Sequence, residues 1–215
     1  MRNFVYLLLS TILTLGCVIT GMAQRRVDTT ELRERAAQQR RLIEDPSNNP
    51  FKIEKSESLK PQPQPNASSA VRAMVELQVV GIADGDTLII SNTARQQLLV
   101  RLQGIDAPET GQSFSREALE SLTNLVSGKS VMLEFDPHGK PDSEGRVVAK
   151  VYLEGRDIAL EQVKAGFAWF CKDYKKMQSE SDRYSYAEAE KEARHASRGL
   201  WRESAPVAPW KYRRQ

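Results

Sequence analysis

Three β-rich runs between residues 75 and 105 constrain the fold more than any other feature of the sequence. Each run has the length and the β-branched or aliphatic content of a strand, and short stretches of turn composition lie between them. The runs are VELQVVGIA (75–83), TLIIS (87–91) and QLLVRLQGI (97–105), separated by Asp84-Gly85-Asp86 and by 92–95. This pattern predicts a three-stranded meander.

A helix and two further strands follow the meander. The apolar positions of 113–126 share one helical face, and Gly128 is placed to end that helix. Strands are predicted at 130–136 and 146–155, and closing helices at 157–165 and about 180–197. Five strands with a helix between the third and the fourth is the order of an OB-fold. We therefore expect an α+β, mainly β fold: a five-stranded OB-fold barrel capped by about three helices.

Length and charge limit the domain organisation. A chain of 215 residues that is 40% hydrophobic can bury one good core, which we place at 71–203, before a Pro/Trp/basic tail at 204–215. Residues 71–203 carry three more acidic than basic side chains. Bulk charge therefore does not indicate a nucleic-acid partner, and the case for one depends on a local site.

Residues 1–23 have the organisation of an export signal. A basic residue precedes an apolar run from Phe4 to about Ile19, and small residues suit cleavage after Ala23. We expect a secreted or periplasmic mature protein without a stable membrane span. Two alternatives stay open, an uncleaved membrane anchor and lipidation at Cys17.

Residues 24–70 have a composition that cannot form a core. The first half could be one charged helix, and the second is rich in Pro, Ser, Asn and Gln, as extended linkers are. We expect a disordered tether, with a docking helix for a cell-surface partner as the alternative.

Several charged residues are predicted to converge at one rim of the barrel. Asp86 opens the second strand, Arg101 lies near the end of the third, and Asp106 and Glu109 follow at its exit. In antiparallel neighbours, the start of one strand lies beside the end of the other. Alternation also places Arg101 on the face opposite to its two neighbours.

Clustered carboxylates repel one another unless a positive charge lies among them. Aspartate oxygens, completed by a backbone carbonyl and waters, are the ligands of a hard cation such as Ca²⁺. The two histidines, His138 and His195, stand far apart in the sequence, so zinc is not indicated. The motif Asp84-Gly85-Asp86 by itself is equally compatible with a tight hairpin turn.

Five motifs occur in the order and spacing of one known family. They are DGDT (84–87), RLQGIDAPE (101–109), DSEGR (142–146), EQVKAGFAWF (161–170) and ASRGLW (196–201). Over about 74–203 the sequence resembles the staphylococcal, or micrococcal, nuclease family. The later APVAPWKYRR is similar to the tail of its Gram-negative members.

The resemblance implies a Ca²⁺-dependent, monomeric endonuclease that acts on DNA and/or RNA and leaves 3′-phosphate ends. The Ca²⁺ ligands that the resemblance implies are Asp86, Asp106 and the backbone carbonyl of Ala107. The implied catalytic groups are Arg101, Glu109 and Arg146. The implied supporting acid is Asp84, and the implied nucleotide contact is Tyr174. In that family the glutamate orients or deprotonates the attacking water, and the two arginines grip the phosphate.

The sequence departs from the staphylococcal pattern at three places. Ala107 replaces a threonine, the long surface loop after Glu109 is missing, and Ser143 and Glu144 replace a lysine and a tyrosine. We expect altered substrate grip at that edge.

Two other classes of function compete with the enzyme. An OB-fold module can bind nucleic acid without catalysis, and the tether and basic tail would suit a structural module of the cell envelope. A binding module has no use for three acids beside a phosphate site, because acids repel a polyanion, and a structural module leaves the cluster unexplained.

Overall fold

The computed structural model describes residues 73–92, 95–135, 140–172 and 177–214, together with Glu34. The predicted export signal, nearly all of the predicted tether, His138 and Tyr174 lie outside these residues. Among the helices of the described part, none is both long and apolar enough to cross a bilayer.

Five strands form a closed barrel, as predicted. The strands are β1 (Ala73–Ile82), β2 (Thr87–Ser91), β3 (Gln97–Leu102), β5 (Ser130–Phe135) and β6 (Val147–Leu153). They pair in the order β3-β2-β1-β5-β6, and a parallel pairing of β3 with β6 closes the ring. Three short strands, β4 (Ile105–Asp106), β7 (Arg156–Asp157) and β8 (Trp169–Phe170), decorate it. The α+β OB-fold prediction is confirmed.

The prediction of one continuous third strand over 97–105 is wrong, because the structure has two separate strands there, β3 and β4. β3 ends at Leu102, and Gly104 adopts a φ of +87°, a left-handed conformation that breaks the extended chain. The chain then leaves the barrel, and β4 pairs with β8 instead. A Cβ on Gly104 would lie 2.1 Å from Nε2 of Gln178, so a larger residue would have to displace that side chain as well as adopt the left-handed conformation. This break carries Asp106 out to the rim.

Three helices of eight or more residues cap the described barrel, and two shorter ones were not predicted. α1 covers Ser115–Val126, α2 covers Ile158–Ala165 and α3 covers Glu180–His195. The 3₁₀ helix is Gly199–Arg202, and α4 is Pro209–Tyr212 within the tail. Side-chain caps start α2 and α3, since Asp157 accepts from the N–H groups of Ala159 and Leu160 and Ser179 accepts from that of Asp182.

The alternation of β3 separates two faces. Leu98, Val100 and Leu102 are buried in the main core inside the barrel, whereas Leu99 belongs to a small separate cluster with Ile89. Arg101 is therefore on the outer face with Leu99, as the sequence predicted. It is nevertheless only 6% exposed, because the rim loops cover it.

A tryptophan cluster packs beside the rim of the barrel. Trp169 contacts Trp201 and Trp210 edge-on, with ring centroids 4.4 and 5.6 Å apart. The guanidinium carbon of Arg194 lies 3.7 Å from the Trp201 ring centroid and 4.7 Å from that of Trp169. Because Trp169 pairs with Asp106 between β8 and β4, the cluster fixes one edge of the site.

Candidate active site

A buried ion triad forms the floor of the site. Thr87 is the register partner of Arg101, which brings the start of β2 beside the end of β3. Arg101 donates from Nη1 to Asp86 Oδ1 at 2.6 Å and from Nη2 to Asp106 Oδ1 at 2.9 Å. One planar guanidinium thus holds two carboxylates that are 3% and 1% exposed.

Backbone and hydroxyl donors complete the setting of Asp86. The N–H of Ala107 donates to Asp86 Oδ2 at 2.8 Å, and the hydroxyl of Thr87 donates to Oδ1 at 3.1 Å. These contacts tie the β1–β2 loop to the segment after β4, although the two are separated by 21 residues in the chain.

Asp84 organises the same loop by accepting a hydrogen bond from the N–H of Asp86 at 2.9 Å. The motif Asp84-Gly85-Asp86 forms a tight turn, as the hairpin interpretation predicts, and this turn places Asp86 in the lining of the cleft.

Gln162 supports this turn from behind, and the sequence analysis missed its role. Its Nε2 donates to the carbonyl of Gly85 at 2.8 Å and to that of Ala118 at 3.0 Å, and the side chain is fully buried. A Cβ on Gly85 would lie 2.7 and 2.8 Å from the Cβ atoms of Ala118 and Ala107. The only local signal was a polar residue on the apolar face of a predicted helix.

Arg146 reaches the cleft from the start of β6, across the β3–β6 pairing that closes the barrel. It immediately precedes β6, whose Val148 pairs with Arg101 of β3. Its Nε donates to Asp142 Oδ2 at 2.8 Å, and Nη1 donates to the hydroxyl of Thr87 at 3.2 Å. Glu144, one of the departures from the staphylococcal pattern, forms an ion pair with Arg146 Nη2 at 3.3 Å.

Glu109 lies at the rim with a partner that the sequence analysis did not anticipate. Arg213 of the tail donates from Nη1 to Glu109 Oε1 and from Nη2 to Asp106 Oδ2, the latter at 2.8 Å. The sequence by itself places Arg213 only in a basic tail. Its position depends on how the tail folds back, for which the sequence carries no periodic pattern.

These groups share one narrow, polar cleft. Its lining residues are Asp84, Asp86, Arg101, Ala107, Pro108, Glu109, Thr110, Glu144, Arg146 and Arg213. Asp106 closes the floor through its bonds to Arg101 and Arg213. The structure thus brings together each predicted site residue that it describes, and Tyr174 lies outside the described residues.

Burial has the largest influence on the pKa values of Asp86 and Glu109. It raises the pKa of Asp86 to about 6, although the Arg101 guanidinium opposes the shift, and the nearby Asp84 and Asp106 carboxylates add to it. Burial also raises the pKa of Glu109, against the hydrogen bond from Arg213. Negative charge in this cleft is therefore costly, and an additional cation would relieve the cost.

The donor set fits a hard divalent cation. The cleft offers carboxylate oxygens and no thiolate or imidazole, which suits Ca²⁺ or Mg²⁺ rather than zinc. Within the described residues, no three His, Cys, Asp or Glu side chains converge as a complete ligand set. A cation held by Asp86 and Asp106 would need a backbone carbonyl and waters to complete its coordination.

Comparison with known proteins agrees with this geometry. The family described as staphylococcal nuclease homologue matches residues 99–203. An endonuclease of Haemophilus influenzae, itself uncharacterised, is 37% identical over 148 residues, 69% of this chain and 78% of its own length. The chain belongs to the staphylococcal nuclease family.

Other members of the family are similar over comparable lengths. A micrococcal nuclease of Shigella flexneri is 37% identical over 146 residues, 64% of this chain and 79% of the relative. A probable staphylococcal-like nuclease of Oryza sativa subsp. japonica is 33% identical over 138 residues, 62% of this chain but only 39% of the relative. The family resemblance inferred from the five motifs is confirmed.

Proposed function

We propose that this protein is a Ca²⁺-dependent nuclease that hydrolyses phosphodiester bonds of DNA and/or RNA. The observation that carries the proposal is the joint placement of Arg101, Arg146 and Glu109 in one cleft above the buried pair Asp86 and Asp106. The nuclease names of its relatives support the same conclusion.

Asp86, Asp106 and the backbone carbonyl of Ala107 are the proposed cation ligands. A bound divalent cation would stabilise negative charge on a phosphate oxygen as a Lewis acid. Asp84 keeps Asp86 in place through the turn that it caps. The position of Asp86 and Asp106 on two different segments that meet at the cleft supports these roles.

Arg101 and Arg146 are the proposed phosphate ligands. Attack on a phosphodiester builds negative charge on the equatorial oxygens, and two planar guanidinium groups can donate to those oxygens in pairs. Arg146 is held by Asp142 through Nε, which fixes the plane of its guanidinium at the edge of the cleft. Interactions of this kind, aligned before reaction, lower the activation barrier.

Glu109 is the proposed group that orients the attacking water or accepts its proton. Its carboxylate stands at the mouth of the cleft, and 35% of the side chain is exposed, so water reaches it. Departure of the 5′ oxygen would leave 3′-phosphate ends. Tyr174 is the proposed nucleotide contact.

Substitution of Glu109 tests the proposal directly. Glu109→Gln keeps the size of the side chain but cannot accept a proton, so kcat on single-stranded DNA should fall by about 10²–10⁴-fold while the Kd of a nucleotide inhibitor changes little. Asp106→Ala should abolish Ca²⁺-dependent cleavage with the fold retained. Glu192→Gln, an exposed glutamate of α3, is the matched control and should behave as the parent.

Each outcome separates the nuclease from a binding module. Plasmid DNA is incubated with the protein and Ca²⁺, and then with chelator. Cleavage that chelation stops supports the nuclease. Tight DNA binding without cleavage would establish a non-catalytic OB-fold module instead, whereas full activity of Glu109→Gln would overturn the role proposed for Glu109.

We also propose export of the mature protein. The segment 1–23 supports it by composition alone, and cleavage after Ala23 would give a mature N-terminus at Gln24. N-terminal sequencing of protein from the periplasm and medium of the native host checks this. An intact Met1 in the membrane fraction, or an acylated Cys17, contradicts it.

A further inference from the structure

The C-terminal strap, which we define as residues 204–214, crosses the loop that follows β4 and ends in the active site. Arg213, near its end, donates to both oxygens of Asp106, at 3.2 Å to Oδ1 and 2.8 Å to Oδ2. The same guanidinium donates to Glu109 Oε1. It therefore fills the space between a proposed cation ligand and the proposed proton acceptor.

The strap is held in place independently of Arg213. The side chain of Gln112 donates to the carbonyl of Val207 at 2.6 Å, and Ala208 and Pro209 are buried. Trp210 packs edge-on against Trp169. These contacts bring the end of the strap to the cleft, so the approach of Arg213 is built into the fold.

Two guanidinium groups share Asp106, but only one of them can leave. Arg101 is buried on the floor and bridges Asp86 and Asp106, whereas the side chain of Arg213 is 42% exposed at the mouth. A divalent cation on the oxygens of Asp106 would repel the Arg213 guanidinium, since like charges on one carboxylate oppose each other. Water at the mouth can solvate Arg213 when it withdraws, and it cannot do so for Arg101.

We propose that Arg213 is an internal competitor of the divalent cation: its guanidinium pairs with Asp106 and Glu109, and the bound cation displaces it. This inference rests on the proposed nuclease function. Under this proposal the basic strap has a regulatory role, because Arg213 sets the cation concentration at which the site binds the cation. Glu109 loses its ion pair with Arg213, and so becomes available to the attacking water, only when the cation is bound.

Calorimetric titration with CaCl₂ tests the competition without reference to activity. Arg213→Ala should bind Ca²⁺ about tenfold more tightly than the parent, since a repelling charge has been removed from the ligand carboxylate. Arg213→Lys, which keeps the charge, should lie nearer the parent. Arg214→Ala removes the neighbouring exposed charge and should change the Kd by less than about twofold at 0.15 M salt, where exposed charges are screened.

A nuclear magnetic resonance measurement reports the displacement itself. The Nε–Hε resonance of Arg213, assigned by its loss in Arg213→Lys, should shift on addition of CaCl₂ to the full chain, whereas that of Arg194 between the tryptophan rings should not. Unchanged Ca²⁺ affinity in Arg213→Ala, or a static Arg213 resonance in Ca²⁺-saturated parent, overturns this proposal. If either occurs while the parent still cleaves DNA with Ca²⁺, the nuclease proposal stands. Absence of both Ca²⁺ binding and cleavage in all variants overturns both.

Discussion

Arg101 and Arg146 bring the same charge to the same cleft, but their surroundings differ. Arg101 is buried and bridges two buried carboxylates, so it is part of the structure as well as of the proposed chemistry. Arg146 is held by Asp142, on the segment between β5 and β6, and by the hydroxyl of Thr87. Replacement by lysine should therefore have different consequences at the two positions.

Arg146→Lys should cost about 3–5 kcal/mol in activation free energy, because an ammonium cannot donate in pairs to the phosphate oxygens. Its melting temperature should remain close to that of the parent. Arg101→Lys should lose activity and also about 3 kcal/mol of stability, because an ammonium lacks the planar fork of donors with which Arg101 bonds Asp86 and Asp106. Single-turnover rates and urea denaturation check both; equal stability of the two variants would contradict the structural role of Arg101.

At the scale of elements, the site depends on contacts between segments that are far apart in the chain. Gln162 of α2 donates to the carbonyl of Gly85 across 77 residues and so supports the β1–β2 turn. Lys150 of β6 likewise connects three elements, since Nζ lies 2.8 Å from Asp182 Oδ1 of α3 and 3.4 Å from Asp157 Oδ2 at the start of α2.

Gln162→Ala should lower the free energy of unfolding by about 2–4 kcal/mol, because the buried carbonyls of Gly85 and Ala118 lose their donor. Activity should fall as well, since the turn that presents Asp86 loosens. Ser121→Ala removes only the donor to Gln162 Oε1 and serves as the milder control. Urea denaturation and Ca²⁺ affinity measure the two effects, and an unchanged Ca²⁺ affinity in Gln162→Ala would contradict the link to the turn.

Lys150→Met should destabilise the fold by about 2–4 kcal/mol at neutral pH, because two largely buried carboxylates lose their partner. Burial pushes the pKa of Asp182 up, but the hydrogen bond and charge of Lys150, together with hydrogen bonds to Ser179, outweigh it and lower that pKa below its usual value. The stabilisation from Asp182 is therefore present above about pH 4, the ordinary range of an aspartate, and is lost as the pH falls through the lower folded-state value. The difference between parent and variant should shrink at acid pH, as denaturation at pH 3 and 7 would show.

Strand positions could be predicted from sequence because each barrel strand has one face in the core and one outside, which leaves a period of two. The clustering of Asp86, Arg101 and Asp106 followed from strand ends that meet at one rim. Gln162, the tryptophan cluster and the strap could not be predicted in the same way. Their contacts join residues up to 107 positions apart, and local periodicity carries no information about which distant residues meet.

At the scale of the whole molecule, binding of a cation that only the folded site recognises should stabilise the entire chain. At a Ca²⁺ concentration of a hundred times Kd, linkage adds about 2.7 kcal/mol to the free energy of unfolding, and the melting temperature should rise by several degrees. Scanning calorimetry with CaCl₂ and with chelator measures the shift. Asp106→Asn should lose most of it, and an equal shift in that variant would contradict the assignment of the ligand.

The parallel pairing of β3 with β6 has a consequence in time. Arg101 pairs with Val148 across that seam, and Arg146 stands directly beside it. Before these two strands pair, Arg101 and Arg146 are not brought together, whatever local structure the chain contains. Catalytic competence should thus return no earlier than the pairing of β3 with β6 during refolding, and a newly made chain should be harmless to the nucleic acids of its own cell until the ring has closed.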